Sequence, residues 1–449
     1  MDPKQLSMMA SKFQCVLDAS ALDARGDHLK FCQRQRLITP FRFGLSVLAS
    51  MASNPVHSIA DLHRDFNALW ELEVSYKAFY NQLVKASGTE FLRTSLGDLM
   101  GKLTLKVLAF QPGEAFSEFN RIIIQDGSSF AIHNALCHVF PGRFNAVKPA
   151  AVELHCTMDV LRDAPLIMVL SPDTDAEHDY RPEPASLKDA LFLADRGSLD
   201  LSYLRAVDRQ GGSFIVRAKD GLNPRVLDAF REDGKRVKAC QDRALQAVIA
   251  KLPKKQRVAL AVEGWIDHQP FRLRLIVSWN KEKQCFVYLL TNLDKTRYPI
   301  EKICLGYKLR WQVELLFKER KSHANLHAFD TEKEYITESL IWASLSAATL
   351  KCFFAHAAEH LLEVVISTRK AAMIPAYVLP ELFRSLRHGD GPWFRRAFKA
   401  MMRYLGNNTK RAHPKRDIRT GRAQLGLKSI FELAEHQAFM DNSEKQVAA

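Results

Sequence analysis

The sequence predicts an α/β core flanked by helical regions, and three observations predict it. Residues up to about 115 read as helical, short β-rich runs separated by polar turns begin near 118, and helical periodicity returns after 325. Expected boundaries are 1–115 for a helical N-terminal region, 116–345 for the core with a β insertion at 220–297, and 346–449 for a helical, basic C-terminal region.

Near the N-terminus, Ser58 can cap an amphipathic turn reaching Phe66, and Ser75 can cap a second helix through Leu83. This pair predicts a helix-turn-helix whose second helix would offer Lys77, Tyr80, Asn81 and Gln82 to phosphates or base edges. Two short helices joined by a turn also belong in any helical bundle. In the core, Arg121 to Gln125 predicts a strand ending at Asp126-Gly127-Ser128, and Val152 to Val160 and Pro165 to Ser171 predict two more. A helix is expected near Ser186 to Ala190, a strand from Leu191 to Ala194 ending at Asp195-Arg196-Gly197, a helix from Leu199 to Val207 and a strand from Ser213 to Arg217. Three strands, helix, strand, helix, strand is the order of a ribonuclease-H-like fold. Runs at Arg257 to Ile266, Phe271 to Trp279 and Cys285 to Thr291, with turns at 267–270 and 280–283, predict an inserted β subdomain. The later helices carry an apolar face through Leu340, Ile341, Leu345, Leu350 and Phe353.

Composition narrows the partner. Lys and Arg number 64 against 50 Asp and Glu, a net charge of +14, which favours a polyanion and makes nucleic acid the leading candidate. No apolar run of 18 or more residues and no signal-peptide pattern is read, so the expectation is a cytoplasmic protein without a membrane partner. Eight scattered cysteines lack metal-like spacing and read as small buried hydrophobes in a reducing compartment. From Arg395 to Lys428, eleven Lys and Arg face one acid, Asp417, and 407–416 reads as a basic loop suited to DNA phosphates or simply to a solvated surface.

The most specific pattern is Tyr307, Arg310, Glu314 and Lys321. At about 100° per residue these side chains fall near 0°, 300°, 340° and 320°, a single helical face. A glutamate among basic residues is usually a solvated salt-bridging face. Here two more carboxylates, Asp126 and Asp195, stand at the ends of apolar strand-like runs, 69 residues apart and with Glu314 a further 119 on. Phosphodiester cleavage needs an activated nucleophilic oxygen and a neutralised leaving oxygen, which two divalent ions roughly 3.5–4 Å apart supply. Hard oxygen ligands select Mg²⁺, with Mn²⁺ as a substitute. Arg310 can grip a phosphate in bidentate fashion, Lys321 can add point charge, and Tyr307 can donate to phosphate or stack on an unpaired base.

With these residues in view, the chain resembles the DDE transposases of the insertion-sequence-four family, through Asp126-Gly127-Ser128, Asp195-Arg196-Gly197 and the Tyr307, Arg310, Glu314, Lys321 series. The resemblance covers roughly 115–345. It implies that Asp126, Asp195 and Glu314 hold two Mg²⁺ ions and that Tyr307, Arg310 and Lys321 hold the DNA terminus. It further implies cut-and-paste transposition through hairpin ends, with double-stranded DNA as transposon end and target and a homodimer pairing two ends. An aromatic residue often follows the glycine of the second motif in that family, and here Ser198 stands there.

Other readings stay open at this point. His356-Ala357-Ala358-Glu359-His360 fits the H-x-x-E-H pattern of a zinc peptidase. A catalytically inactive DNA-binding relic and a stand-alone nuclease of the same fold share most of these features. Trp265 and Trp279 fit either strand packing or stacking on a flipped base. The dimer interface is expected among the helices after Thr331.

Overall fold

Ten strands join in one continuous sheet in the computed structural model, which describes residues 1–34, 36–53, 56–144, 146–219, 221–254, 257–266, 269–323, 331–373, 378–411 and 420–434. The chain begins with helices α1 (Pro3–Val16), α2 (Ala19–His28), α3 (Pro40–Ser53), α4 (Ile59–Trp70), α5 (Tyr76–Leu83) and α6 (Ala86–Leu103). The core follows as β1 (Leu108–Phe110), β2 (Arg121–Ala131), β3 (Ala151–Asp159), β4 (Ala164–Pro172), β5 (Ala190–Ala194), α7 (Leu201–Arg209) and β6 (Ser213–Arg217). Next come β7 (Arg225–Arg231), β8 (Arg243–Ala244), α8 (Leu245–Ile249), β9 (Val258–Ile266), β10 (Gln269–Asn280) and β11 (Cys285–Thr291). The last elements are α9 (Ile300–Lys308), α10 (Trp311–His323), α11 (Glu334–Leu362), α12 (Thr368–Ala372), α13 (Leu379–Arg387), α14 (Gly391–Asn408) and β12 (Leu427–Ser429).

Sheet order is β4-β3-β2-β5-β6-β11-β10-β9-β7-β8. Strands β2, β5 and β6 run parallel, as Ile, Leu, Val and Phe runs buried on both faces permit, while β3 and β4 lie antiparallel on one side. The expected turn at Asp126 is corrected. Strand β2 continues through Asp126-Gly127-Ser128 to Ala131, because β3 pairs with it as far as Ala131↔Ala151, whereas β5 stops at Gln125↔Ala194. The helix expected near Ser186 is one 3₁₀ turn at Pro184–Leu187. The strands of the expected insertion extend the central sheet, since β11 pairs antiparallel with β6. Strands β7 and β8, too interrupted by charge to read in sequence, complete its far edge.

Ser58 caps α4 through a reciprocal bond set with Asp61, and Ser75 caps α5. On α5, Lys77 and Asn81 are exposed, while Gln82 accepts from Lys85 Nζ at 2.7 Å. Helix α11 packs against α3, α6 and α14, so the N- and C-terminal helices share one apolar core. It is long and apolar enough to cross a membrane by composition, a run the sequence reading did not register, yet 83% of its apolar window is buried inside the protein. All eight cysteines are free; Cys15 and Cys137 are exposed, correcting the expectation of burial for those two. Trp279 packs edge-on to its cross-strand partner Phe286, with ring centroids 4.9 Å apart, beneath Lys254. The side chain of Trp265, the 267–268 turn residues and residues 412–416 of the basic loop lie outside the described residues.

Candidate active site

Parallel pairing between β2 and β5 ends at Gln125↔Ala194, so Asp126 and Asp195 are the first residues beyond the last shared rung. Ligand sites in open α/β sheets form at such carboxyl ends. Both aspartates line an open cleft of about 500 Å³ together with Arg310, Glu314, Phe317, Lys318 and Lys321.

The single helical face expected from Tyr307 to Lys321 is corrected: α9 ends at Lys308 and α10 starts at Trp311. Bonds from Leu309 N to Gly306 O, Arg310 N to Tyr307 O and Gln312 N to Leu309 O tighten the junction into i→i−3 turns. The four side chains nevertheless converge on the sheet. Tyr307 Oη donates to Asp195 Oδ1 at 3.1 Å. Arg310 Nη1 donates to Asp126 Oδ2 at 2.7 Å, and its Nη2 to Glu314 Oε1. Lys321 Nζ donates to the carbonyl of Ser129, on β2, at 2.7 Å.

Burial, reinforced by the Glu314 and Asp195 charges, pushes the Asp126 carboxyl up to about 6 against the pull of Arg310. Burial and the Asp195 carboxylate push the Tyr307 phenol up, so it remains a donor. For Arg310, burial opposes the charge but Asp126 and Glu314 outweigh it and shift the group upward. Burial and nearby Lys148 lower the Lys321 ammonium.

Three carboxylates lining one cleft beyond the β2–β5 rungs form a hard-oxygen donor set suited to a divalent cation. Among the described residues no group of three or more His, Cys, Asp or Glu is spaced to hold an ion as it stands. The positive charge between Asp126 and Glu314 is instead the Arg310 guanidinium. In charge and donor chemistry the residues fit a metal, with Arg310 as the stand-in cation.

Sequence reasoning missed several neighbours. Arg217, closing β6, approaches Asp195 with Nη1 at 3.8 Å; its place at the end of a predicted strand was the available signal. A Cβ at Gly127 would lie 2.2 Å from Glu153 Oε1, and one at Gly197 would lie 2.1 Å from Glu177 Oε2. The glycine within each aspartate motif thus leaves room for another carboxylate. Burial and the surrounding carboxylates push Glu177 up to about 7, and its Oε1 is buried without a hydrogen-bond partner.

The H-x-x-E-H residues serve packing. Glu359 Oε1 accepts from Ile366 N at 2.8 Å, His360 Nε2 pairs with the Lys106 carbonyl at 2.8 Å, and His356 is buried beside Cys352.

A family model described as "Transposase DDE domain" matches residues 118–350. The chain is 22% identical over 392 residues to the transposase for insertion sequence element IS231C of Bacillus thuringiensis subsp. berliner, covering 76% of this chain and 78% of that one. It is 22% identical over 239 residues to the transposase for IS1151 of Clostridium perfringens, covering 45% and 50% of the two chains. A solved piggyBac transposase synaptic complex with hairpin DNA aligns over 89% of this chain and 85% of that one, at 9% identity and a TM-score of 0.46.

Proposed function

The chain belongs to the transposases with a DDE domain, and from that membership we propose that it binds the terminal inverted repeats of an insertion sequence and cuts and rejoins DNA at the cleft of Asp126, Asp195 and Glu314. One observation carries this reading: Tyr307 and Arg310, distant in sequence from both aspartates, bond to them directly, and Arg310 links Asp126 to Glu314. Parallel β2, β5 and β6 beside antiparallel β3 and β4 support a ribonuclease-H-like core. The ten-stranded continuity supports reading 220–297 as an elaboration of that core.

Transposases of this kind generally use divalent ions. In this reading Asp126, Asp195 and Glu314 hold two Mg²⁺ ions, with Mn²⁺ able to substitute, and bound metal would supply an activated nucleophile and a neutralised leaving oxygen. Arg310 turns from the acids toward a DNA phosphate, for which its fork geometry is suited. Tyr307 keeps its proton and donates it in a hydrogen bond to Asp195 or to a phosphate oxygen. Lys321, at the cleft rim, adds positive charge along the strand. Hairpin formation at the ends, double-stranded target DNA, a homodimer pairing two ends, end recognition by α4 and α5, and phosphate contact by the basic C-terminal region complete the proposal.

The test is Mg²⁺-dependent cleavage of a plasmid carrying this gene with its native flanking DNA, comparing wild type with Asp126→Asn. Cuts at paired inverted repeats, absent in the variant, are expected. Cutting that survives the substitution would mean the metal site is misassigned. DNA binding with no cutting by either protein would favour an inactive transposase-derived binder.

A further inference from the structure

Gln125 and Ser198 are wholly buried polar residues placed immediately before Asp126 and three residues after Asp195. A buried polar side chain is costly unless its hydrogen bonds are made. Here they are made to each other and to one loop: Ser198 Oγ donates to Gln125 Oε1 at 3.1 Å, and Gln125 Nε2 donates to the Glu177 carbonyl at 3.0 Å. Gln125 stands on the last backbone rung between β2 and β5, so this side-chain bond ties the Asp195 loop to β2 just beyond the end of their pairing. Ser198 is itself coupled to the aspartate, because its N–H closes a tight turn on the Asp195 carbonyl at 3.1 Å. From outside, Arg181 Nη1 reaches the Ser198 carbonyl at 3.4 Å while its Nη2 holds Asp200 at 3.1 Å.

We propose that Gln125 and Ser198 are positioning residues for the metal site: their buried hydrogen bond holds Asp195 in place against Asp126. The serine that departs from the expected aromatic is thereby explained by a specific partner. The inference rests on the proposed metal-binding role of the two aspartates. Partners behind metal ligands commonly affect affinity by about 10–100-fold.

The test is Mn²⁺ binding by calorimetry on the full chain, with the thermal midpoint recorded alongside. Ser198→Ala leaves Gln125 Oε1 buried and unpaired, so it should lose stability as well as Mn²⁺ affinity. Ser198→Ala combined with Gln125→Met removes both partners at similar volume but also the donor to the Glu177 carbonyl, so stability should return in part relative to Ser198→Ala alone. Mn²⁺ affinity in that double variant should stay about tenfold below wild type. Wild-type affinity there would overturn the inference. Should the double variant unfold, the single variants decide: loss with alanine and recovery with Ser198→Thr is expected, and equal affinities overturn the inference. An Asp126→Asn control separates the two levels. If that variant binds Mn²⁺ as wild type does, the metal-site reading falls and this inference with it.

Discussion

At the scale of single residues, the cleft joins charges that are tolerable together only while something positive stands among them. Arg310 is 8% exposed and bridges Asp126 and Glu314. Arg310→Ala should therefore cost on the order of 3 kcal/mol in metal-free protein, as breaking a buried ion pair does. Added Mg²⁺ should raise the melting temperature of the variant more than that of wild type, because the ion takes over the missing charge; equal increments would show that the arginine does not stand in for metal. Its cleavage rate and end affinity should fall together. Glu314→Gln, in contrast, should abolish cleavage and leave DNA affinity nearly intact, which a gel-shift and a cleavage assay on the same duplex would check. The proposed acids and the Tyr307, Arg310, Glu314, Lys321 series were legible in sequence because each type has few uses in that spacing. Gln125, Glu153, Glu177 and Arg217 were not, because their significance comes from tertiary approach among β2, β3, β6, the 3₁₀ turn at Glu177 and the loop after β5.

Element by element, strands were read more accurately than the helical run that carries the signature. Runs such as Cys285–Thr291 and Ser213–Arg217 are bounded by charges and turns, and the structure reproduces their limits. The break between α9 and α10 left no Pro or Gly at Leu309 or Arg310 to reveal it. It accompanies packing at Gly306, where a Cβ would come 2.7 Å from the Phe116 ring and 3.2 Å from Ile215 Cδ1. Gly306→Ala should therefore push α9 off the sheet, costing about 1–3 kcal/mol and loosening the Tyr307 contact with Asp195. Denaturant melts and cleavage rates would both register this, and an unchanged melt would place the close approach elsewhere. Helix α11 carries a second testable feature in Glu359, which burial pushes up to about 8, with Asp163 reinforcing the shift and Arg411 and Arg422 opposing it. The folded state keeps a proton that the unfolded chain has lost above its ordinary value of 4.5. This group's contribution to stability is thus fully present below about pH 4.5 and is lost progressively as pH rises from there through about 8. Glu359→Gln retains an acceptor for the Ile366 N–H but cannot ionise. It should melt about 2 °C or more above wild type at pH 9 and closest to it at about pH 4.5 or below; parallel melting curves across that range would refute the assignment.

For the whole molecule, the sequence reading separated a helical N-terminal region at residue 115 from the core and a C-terminal region after 345, whereas α11 runs unbroken across 345 and packs with helices from both ends of the chain. Helical periodicity announces an apolar face without naming the face it meets, so this joining was invisible in sequence. Its centre is aromatic: Phe13 of α1 lies 6.0 Å from Phe353, 5.2 Å from Phe354 and 5.7 Å from Phe394 between ring centroids. All four rings are at most 3% exposed. If this core is shared, a chain starting at residue 104 leaves α11 without α1, α3 and α6 and should lose its cooperative melt. The finer test is Phe13→Ala, which should cost about 3–5 kcal/mol, as deleting a fully buried phenylalanine does. That loss should appear in protection of α11 and α14 from hydrogen exchange, far along the chain from the substitution. A cooperative melt for the truncated chain, together with unchanged exchange in α11, would instead restore an independent N-terminal domain and leave the long apolar helix in need of another cover.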